Sequence, residues 1–230
     1  MKTKLYKPFE HWYHGGTIWL YSDPHFGDSD QKLMDPLWPS DANQVKALNH
    51  NLSRNDTIIF LGDIGDVEFI KEIKGYKVLL LGNHDKGASN YLKEYLVYAP
   101  SKDFIFKSYN KADAEDVAAE YNILEQHDDE AEVYNNGLFD EVYEGPLMIN
   151  NHVMLSHEPI DMGFGINIHG HSHTGYRLDR YLHSISINVC SNIIDFEKVR
   201  LDKLLENIEY EDIHRITIDN ATRKQRTKIV

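Results

Sequence analysis

Short hydrophobic runs along this chain stop, five times, at a polar cluster. Thr-Ile-Trp-Leu-Tyr (17–21) leads into Asp23-Pro24-His25, Thr-Ile-Ile-Phe-Leu (57–61) into Gly62-Asp63, and Lys-Val-Leu-Leu-Leu (77–81) into Gly82-Asn83-His84-Asp85. His-Val-Met-Leu (152–155) then leads into Ser156-His157, and Ile-Asn-Ile-His (166–169) into Gly170-His171-Ser172-His173. Runs this short, rich in β-branched and aromatic residues and ended by Gly or polar residues, predict buried strands. Ligand sites in α/β proteins gather at the carboxyl ends of strands. Five strand ends that offer Asp, His and Asn therefore predict one metal site assembled from distant parts of the chain.

Between the runs the pattern predicts helices and loops. Pro24, Pro36 and Pro39 make residues 23–40 a loop, and Asp41 is placed to cap a helix with Val45, Leu48 and Leu52 on one face. A short helix is expected around Val67 to Ile73, and another at 89–98 with Tyr91, Leu92, Tyr95 and Leu96 as its apolar face. Val117, Tyr121 and Leu124 recur at i, i+4 and i+7 behind Asp113, the signature of an amphipathic helix with that aspartate as cap. Residues 99–136 are expected to be an acidic helical insertion in a single domain spanning 1–230. From Phe139 onward strands dominate, at 141–143, 147–149, 152–155, 166–169 and 184–189. Strand–helix alternation followed by strands predicts an α/β protein: two packed mixed β-sheets with helices outside. The segment Thr222 to Val230, with Arg223, Lys224, Arg226 and Lys228, is expected to be a solvated tail.

Composition narrows the chemistry. The chain has 230 residues, 41% hydrophobic and 27% charged, the balance of an ordinary globule with a full core. No apolar stretch approaches the ~20 residues that span a bilayer, and Met1 to Gly16 lacks the apolar centre of a secretory signal. Cys190 is the single cysteine, so no internal disulfide forms. A cytoplasmic protein without membrane partners is the expectation. The net charge of −13 argues against generic nucleic-acid binding, which needs clustered Lys and Arg. The charge is uneven: residues 111–132 hold nine acids against Lys111 alone, a net −8. That segment is expected either to face solvent or an oligomer contact, or to overhang the site and repel polyanions.

Asp23 and His25 are two apart, which on an extended backbone aims both side chains one way, and His171 and His173 repeat the spacing. Asp63, Asn83 and His157 add one donor each. Carboxylate with imidazole suits Mn, Fe, Zn or Ni, whereas all-oxygen sets suit Mg or Ca. Seven donors exceed what one ion with an open position needs and fit two divalent ions, with Asp63, alone on its strand end, as the bridge. Two carboxylates against two divalent ions leave a net +2, or +1 with a bridging hydroxide. Such a centre attracts phosphate.

The ordered set Asp-x-His, Gly-Asp, Gly-Asn-His-Asp, His, Gly-His-x-His resembles the calcineurin-like metallophosphoesterase superfamily, and in particular its small bacterial and phage branch. The resemblance covers roughly 17–98 and 138–195. It implies a four-layer α/β/β/α sandwich, with one ion on Asp23, His25, Asp63 and His173 and the second on Asp63, Asn83, His157 and His171. His84 matches the family histidine that approaches the phosphate and helps the leaving group, and Asp85 the acid that orients that imidazole. The implied reaction is hydrolysis of small or nucleotide-like phosphate esters, diesters first, by a hydroxide held between two ions roughly 3.5–4 Å apart.

The chain also departs from relatives of that kind. Protein Ser/Thr phosphatases of the superfamily carry Gly-Asp-x-x-Asp-Arg-Gly, whereas here Val67 stands where the arginine would grip phosphate. Gly27-Asp28 replaces the Gly-His of many close relatives. Arg54 and Arg177 are the arginines nearest the motifs in sequence, expected either as ordinary surface residues or as contacts to substrate. Asp66 is expected as a loop acid, and His169 as a strand residue with a smaller chance of a direct role. Glu158 is expected at the mouth or in a loop. Asn188 to Cys190 and Asn192 are expected at a strand end beside the site without metal contact, with Cys190 a small buried hydrophobe. His11, His14, His50, His127, His152 and His183 are expected at the surface or with their hydrogen bonds satisfied. Rival functions are a phosphomonoesterase with the same centre, a non-catalytic metal-binding scaffold, and a nuclease acting on short chains.

Overall fold

The computed structural model describes residues 2–99, 103–125, 130–175, 177–180 and 184–206. His127, Asp128, Asp129, His183 and the Thr222–Val230 tail lie outside the described residues. The strands are β1 (Ile18–Tyr21), β2 (Thr57–Phe60), β3 (Tyr76–Leu80), β4 (Tyr95–Tyr98), β5 (Phe104–Ser108), β6 (Glu132–Asn135) and β7 (Glu141–Tyr143). They continue with β8 (Leu147–Met148), β9 (Val153–Leu155), β10 (Gly165–His169), β11 (Leu178–Arg180), β12 (Ser184–Asn188) and β13 (Val199–Arg200). The helices are α1 (Gln31–Met34), α2 (Asp41–Asn49), α3 (Lys111–Glu125) and α4 (Leu201–Glu206).

These elements make a mixed α/β protein with three sheets and few helices. The first sheet has the order β13-β1-β2-β3-β7, with β1, β2, β3 and β7 parallel and β13 antiparallel at the edge. The second has the order β11-β12-β10-β9-β8, with β9, β10 and β12 parallel and both edge strands antiparallel. Every residue of β2 and β10 is buried, as strands covered on both faces require. One continuous buried cluster contains Ile18, Leu20, Ile58, Phe60 and Val78 of the first sheet with Ile166, Ile168, Ile185 and Ile187 of the second. Parallel pairing brings the carboxyl ends of β1, β2 and β3 to one edge, and those of β9, β10 and β12 to one edge of the other sheet. All five polar clusters follow those strands. No helix among the described residues is long and apolar enough to cross a membrane.

Four expected elements differ. The expected helix at 89–98 is a single 3-10 turn (Ala88–Asn90) followed by β4, because Tyr-Leu-Val-Tyr pairs on both sides with β5 and β6 and buries Val97. Tyr95 and Leu96 stand one residue apart, and tertiary pairing overrode a pattern that also fits a helix. The helix expected at Val67 to Ile73 is 3-10 (Val67–Glu72), with Asp66 Oδ1 accepting the Glu68 N–H at 3.0 Å. Ser40, not Asp41, occupies the residue before α2, while Val45, Leu48 and Leu52 are buried as expected. Asp41 instead accepts from Gly27 N–H and the Gln31 amide, tying the 23–40 loop to the helix start, and that loop contains the turn α1.

The segment expected as an insertion at 99–136 lies in a small sheet that begins earlier, at Tyr95. Its central strand is β4, which pairs with β5 and β6 in a three-stranded antiparallel sheet. Helix α3 lays Ala114 and Ala118 against Val97 and Ala131, a second small core with Tyr95, Phe106, Tyr121 and Val133 around it. Asn110, directly before α3, accepts the Ala112 N–H at 3.0 Å and donates to Asp113, so Asn110 does the capping assigned to Asp113. Its root is the pair of backbone bonds between Tyr91 or Lys93 and Phe139.

Candidate metal centre

The seven candidate ligands come from five strand ends, and the structure brings all seven together. Their donor atoms form an unbroken chain. Asp23 Oδ1 lies 3.8 Å from His173 Nε2, which lies 3.2 Å from His25 Nε2. His25 Nε2 is 3.9 Å and His157 Nε2 3.4 Å from the same atom, Asp63 Oδ2. Asn83 Oδ1 is 2.8 Å from His157 Nε2 and 3.1 Å from His171 Nδ1, and those two nitrogens are 3.2 Å apart. Asp63 Oδ2 thus stands between two groups, Asp23–His25–His173 on one side and Asn83–His157–His171 on the other.

The local backbone is bent to make this possible. Asp23, His25, Asp63 and His171 have φ of 55°, 46°, 53° and 62°, four of the seven non-glycine residues in the left-handed region among the described residues. The extended geometry expected for Asp-x-His is therefore absent. The chain coils at the strand end, and the side chains converge through that strain. Residues held in such conformations cost of order 1–3 kcal/mol and cluster at functional sites. Two glycines let the strand ends approach. A Cβ on Gly82 would lie 2.2 Å from Asp63 Oδ1, and one on Gly170 would lie 1.9 Å from Ser22 Oγ and 2.2 Å from Asp23 Oδ2.

Asp23 is fully buried, and its Oδ1 has no hydrogen-bond partner among the described residues, whereas Oδ2 accepts the His171 N–H at 2.9 Å. A buried orphan carboxylate oxygen is costly unless positive charge compensates it. Three sets of donors, Asp23–His173–Cys190, Asp63–His157–His171 and Asp23–His25–Asp63, each lie within 4.8 Å of one another. The donor set fits divalent ions of the transition series.

The electrostatics agree with a site that seeks cations. Burial opposes charging His157, but the hydrogen bond to Asp63, the charges of Asp23 and Asp63 and the Leu61 carbonyl outweigh it and raise it to about 9. Burial lowers His25 despite Asp23 and Asp63. Asp63 is held below the usual carboxylate range, because His157 and the His84 N–H overcome the effect of burial. The Cys190 thiol is pushed up by burial and by Asp23 beside it.

His84 and Asp85 divide differently from the expectation. His84 is exposed, with its ring 6.0 Å from that of His25 and its backbone N–H on Asp63 Oδ1 at 3.0 Å. Asp85 does not reach that imidazole. Its carboxylate accepts the backbone N–H groups of Asp63, Ile64 and Gly82 at 2.9, 3.0 and 2.8 Å, and the Tyr91 hydroxyl at 3.2 Å. Those bonds occupy it fully, so its role is to fix the loops that carry Asp63 and Asn83.

Among the other candidates, Asp66 caps its turn, and His169 is buried with Ser186 Oγ and the Gly170 carbonyl as partners. Glu158 is exposed, and its backbone carbonyl accepts the Ser156 hydroxyl. Arg54 precedes β2, at the sheet edge opposite Asp63. Arg177 is exposed near the site's edge, where its carbonyl accepts the Asn188 N–H. His11 bonds to Glu141, while His152 is half-buried and its Nδ1 has no partner among the described residues. Sequence reading missed three neighbours: Trp38, whose ring stands 5.7 Å from that of His173 and 6.1 Å from that of His25; Ser191, whose Oγ donates to the Asp23 carbonyl; and the contact of Cys190 with His173. The spacing of Cys190 and Ser191 after β12, at one more strand end, was the available signal.

No protein-family model matches the chain, and no curated protein matches it. Among solved structures it is similar to the crystal structure of the protein of unknown function AQ665 from Aquifex aeolicus, with a TM-score of 0.51 and 18% identity. The match covers 83% of this chain and 98% of that one. At that identity the likeness concerns the fold.

Proposed function

We propose that this chain is a metal-dependent phosphoesterase of the calcineurin-like superfamily, with its two five-stranded sheets as the centre of a four-layer sandwich. The observation that carries the reading is the unbroken chain of seven donor atoms, running through the shared Asp63 Oδ2 and ending on the orphaned Asp23 Oδ1. Asp23, His25, Asp63 and His173 would hold one divalent ion, and Asp63, Asn83, His157 and His171 the other. Such ions supply Lewis acidity toward phosphoryl oxygens and activate water near neutral pH.

The chain's own residues do the rest. With two divalent ions held there, the −2 of Asp23 and Asp63 would leave the centre net positive, which would attract a phosphate ester despite a chain charge of −13. Asp85 keeps Asp63 and Asn83 in register through three backbone bonds. His84, exposed and with its ring free of side-chain hydrogen bonds among the described residues, would approach a bound phosphate and give a proton to the leaving alkoxide. Small diesters, nucleotide-like ones included, are the first substrate class.

The test is metal stoichiometry of the purified protein, then hydrolysis of bis- and mono-p-nitrophenyl phosphate with Mn, Fe, Zn and Ni added back. Two ions per chain and metal-dependent diester cleavage support the reading. Preference for the monoester makes the protein a phosphomonoesterase. Two bound ions without turnover of any ester make it a scaffold.

A further inference from the structure

We propose that Cys190 and Asn192 are a positioning pair for His173, taking its Nδ1–H so that Nε2 turns its lone pair toward the first ion position. The inference rests on the metal-centre reading above and concerns how this chain sets one half of that centre.

Cys190 follows β12 and bridges in parallel to Ser22, which brings a fully buried sulfur beside the Asp23 strand end. Its Sγ lies 3.2 Å from His173 Nδ1 and 3.3 Å from Asn192 Oδ1. Asn192 Oδ1 is itself 3.3 Å from that nitrogen, while its Nδ2 donates to the His173 carbonyl at 2.8 Å. One asparagine therefore grips both the ring and the backbone of His173.

A neutral imidazole carries one N–H. The other nitrogen of this ring, Nε2, faces His25 Nε2 and Asp23 Oδ1, the place of the first ion, toward which it would have to turn a lone pair. The proton then belongs on Nδ1, where sulfur and amide oxygen both accept it. His157 follows the same rule by another route: its Nδ1 donates to the Leu61 carbonyl at 2.7 Å and its Nε2 joins the cluster. Partners of this kind fix tautomer and ring orientation, and their loss typically weakens metal affinity 10–100-fold.

A second observation separates this from simple packing. Asp23 Oδ1, buried and unpartnered among the described residues, shares with His173 and Cys190 a set of donors within 4.8 Å. The pair belongs to one ion position only. His157, His171 and Asn83 have no contact with Cys190 or Asn192 among the bonds that hold them. The effect of removing the pair is therefore one-sided.

The experiment is calorimetric titration of Mn²⁺ into metal-free full-length protein, wild type against Asn192→Leu, Cys190→Val, Asn192→Asp and Cys190→Ser. The expected result is two ions in the wild type, with one position weakened 10–100-fold in Asn192→Leu and the other unchanged. Cys190→Val shifts the same position in the same direction. Asn192→Asp keeps an acceptor on the ring while losing the donor to the His173 carbonyl, and Cys190→Ser keeps an acceptor, so both retain near wild-type affinity. Equal affinity in all variants overturns the inference, as does equal weakening of both positions, which would mark a packing role. A sulfur-to-metal charge-transfer band in the Co²⁺ protein that vanishes in Cys190→Ser also overturns it, because the thiol would then be a ligand. A wild type that takes up no ion overturns the metal-centre reading itself, an outcome distinct from variants that bind like wild type.

Discussion

Asp85 Oδ2 accepts the backbone N–H of Asp63 at 2.9 Å, so the acid at the third strand end holds the central carboxylate of the second. Two further N–H groups, of Ile64 and Gly82, and the Tyr91 hydroxyl also donate to the Asp85 carboxylate. Replacing Asp85 by Ala strands three partly buried donors, each worth about 1–3 kcal/mol when left unsatisfied. We expect Asp85→Ala to lose roughly 3 kcal/mol or more of stability in urea unfolding of the metal-free protein, and Asp85→Asn less. An Asp85→Ala protein as stable as wild type but inactive would return Asp85 to the role of orienting His84.

His84 presents the opposite profile. Its ring is exposed and contributes no side-chain hydrogen bond among the described residues, so His84→Ala is expected to change stability by no more than about 0.5 kcal/mol. Metal content should stay at the wild-type value. Turnover of diesters should fall by roughly 10²–10⁴, the usual contribution of a positioned proton donor. Steady-state kinetics beside metal analysis decide it; full activity in His84→Ala would remove this residue from the reaction.

Gly170 lets the Gly-His-Ser-His turn touch the first strand end. A methyl group there would meet Ser22 Oγ and Asp23 Oδ2 far inside contact distance, with Ser22 tied to the Leu61 carbonyl and Asp23 fully buried. Gly170→Ala is therefore expected to push His171 and His173 away from Asp23. Metal uptake at both positions should weaken at least tenfold, with destabilisation of about 1–3 kcal/mol from overpacking. Isothermal titration and thermal melts measure the two effects separately.

The parallel strands were legible because each is a buried apolar run cut off by a polar cluster, and the same punctuation marked the candidate ligands. Residues at β1, β2, β3, β9, β10 and β12 needed no tertiary information. The small sheet did not announce itself. Tyr95, Leu96 and Val97 are short of partners in sequence and become a strand through β5 and β6 on either side, which is also why this small sheet begins earlier than the acidic composition suggests. Cutting at residue 99 would leave β4 with two unpaired edges, an aggregation hazard. At the site, residue types were readable while backbone conformation was not. Nothing in Asp-Pro-His states that Asp23 and His25 sit at positive φ, where Asp23 N–H bonds to the Gly62 carbonyl and Gly170 lies against Ser22 and Asp23 from distant strand ends. Likewise the partners of Asp85 are backbone N–H groups, which leave no mark in sequence.

The pH dependence of stability follows from two histidines shifted in opposite directions. His157, raised to about 9, binds its proton more tightly folded than unfolded, where the ordinary value is 6.5. Its contribution is fully present below about pH 6.5 and is lost as pH rises through about 9, and it amounts to at most about 3 kcal/mol. His25 is lowered by burial, so the unfolded chain takes up that proton first and stability falls as pH drops below the ordinary value. Asp63 is lowered as well, and its share disappears only in acid, below the usual 3.8. Metal-free protein should therefore be most stable near pH 6.5 and weaken on the alkaline side. Ions held by His157 replace its proton, so loading releases about one proton from this residue between pH 6.5 and 9, and affinity gains up to tenfold per pH unit in that window. Urea unfolding in chelator at pH 6.5, 8 and 9 measures the first effect. Titration in buffers of different ionisation enthalpy measures the second. A metal-free stability that stays flat from pH 6.5 to 9, with no proton released on loading, would mean that His157 is neutral in the folded chain and that Asp63 does not hold it charged.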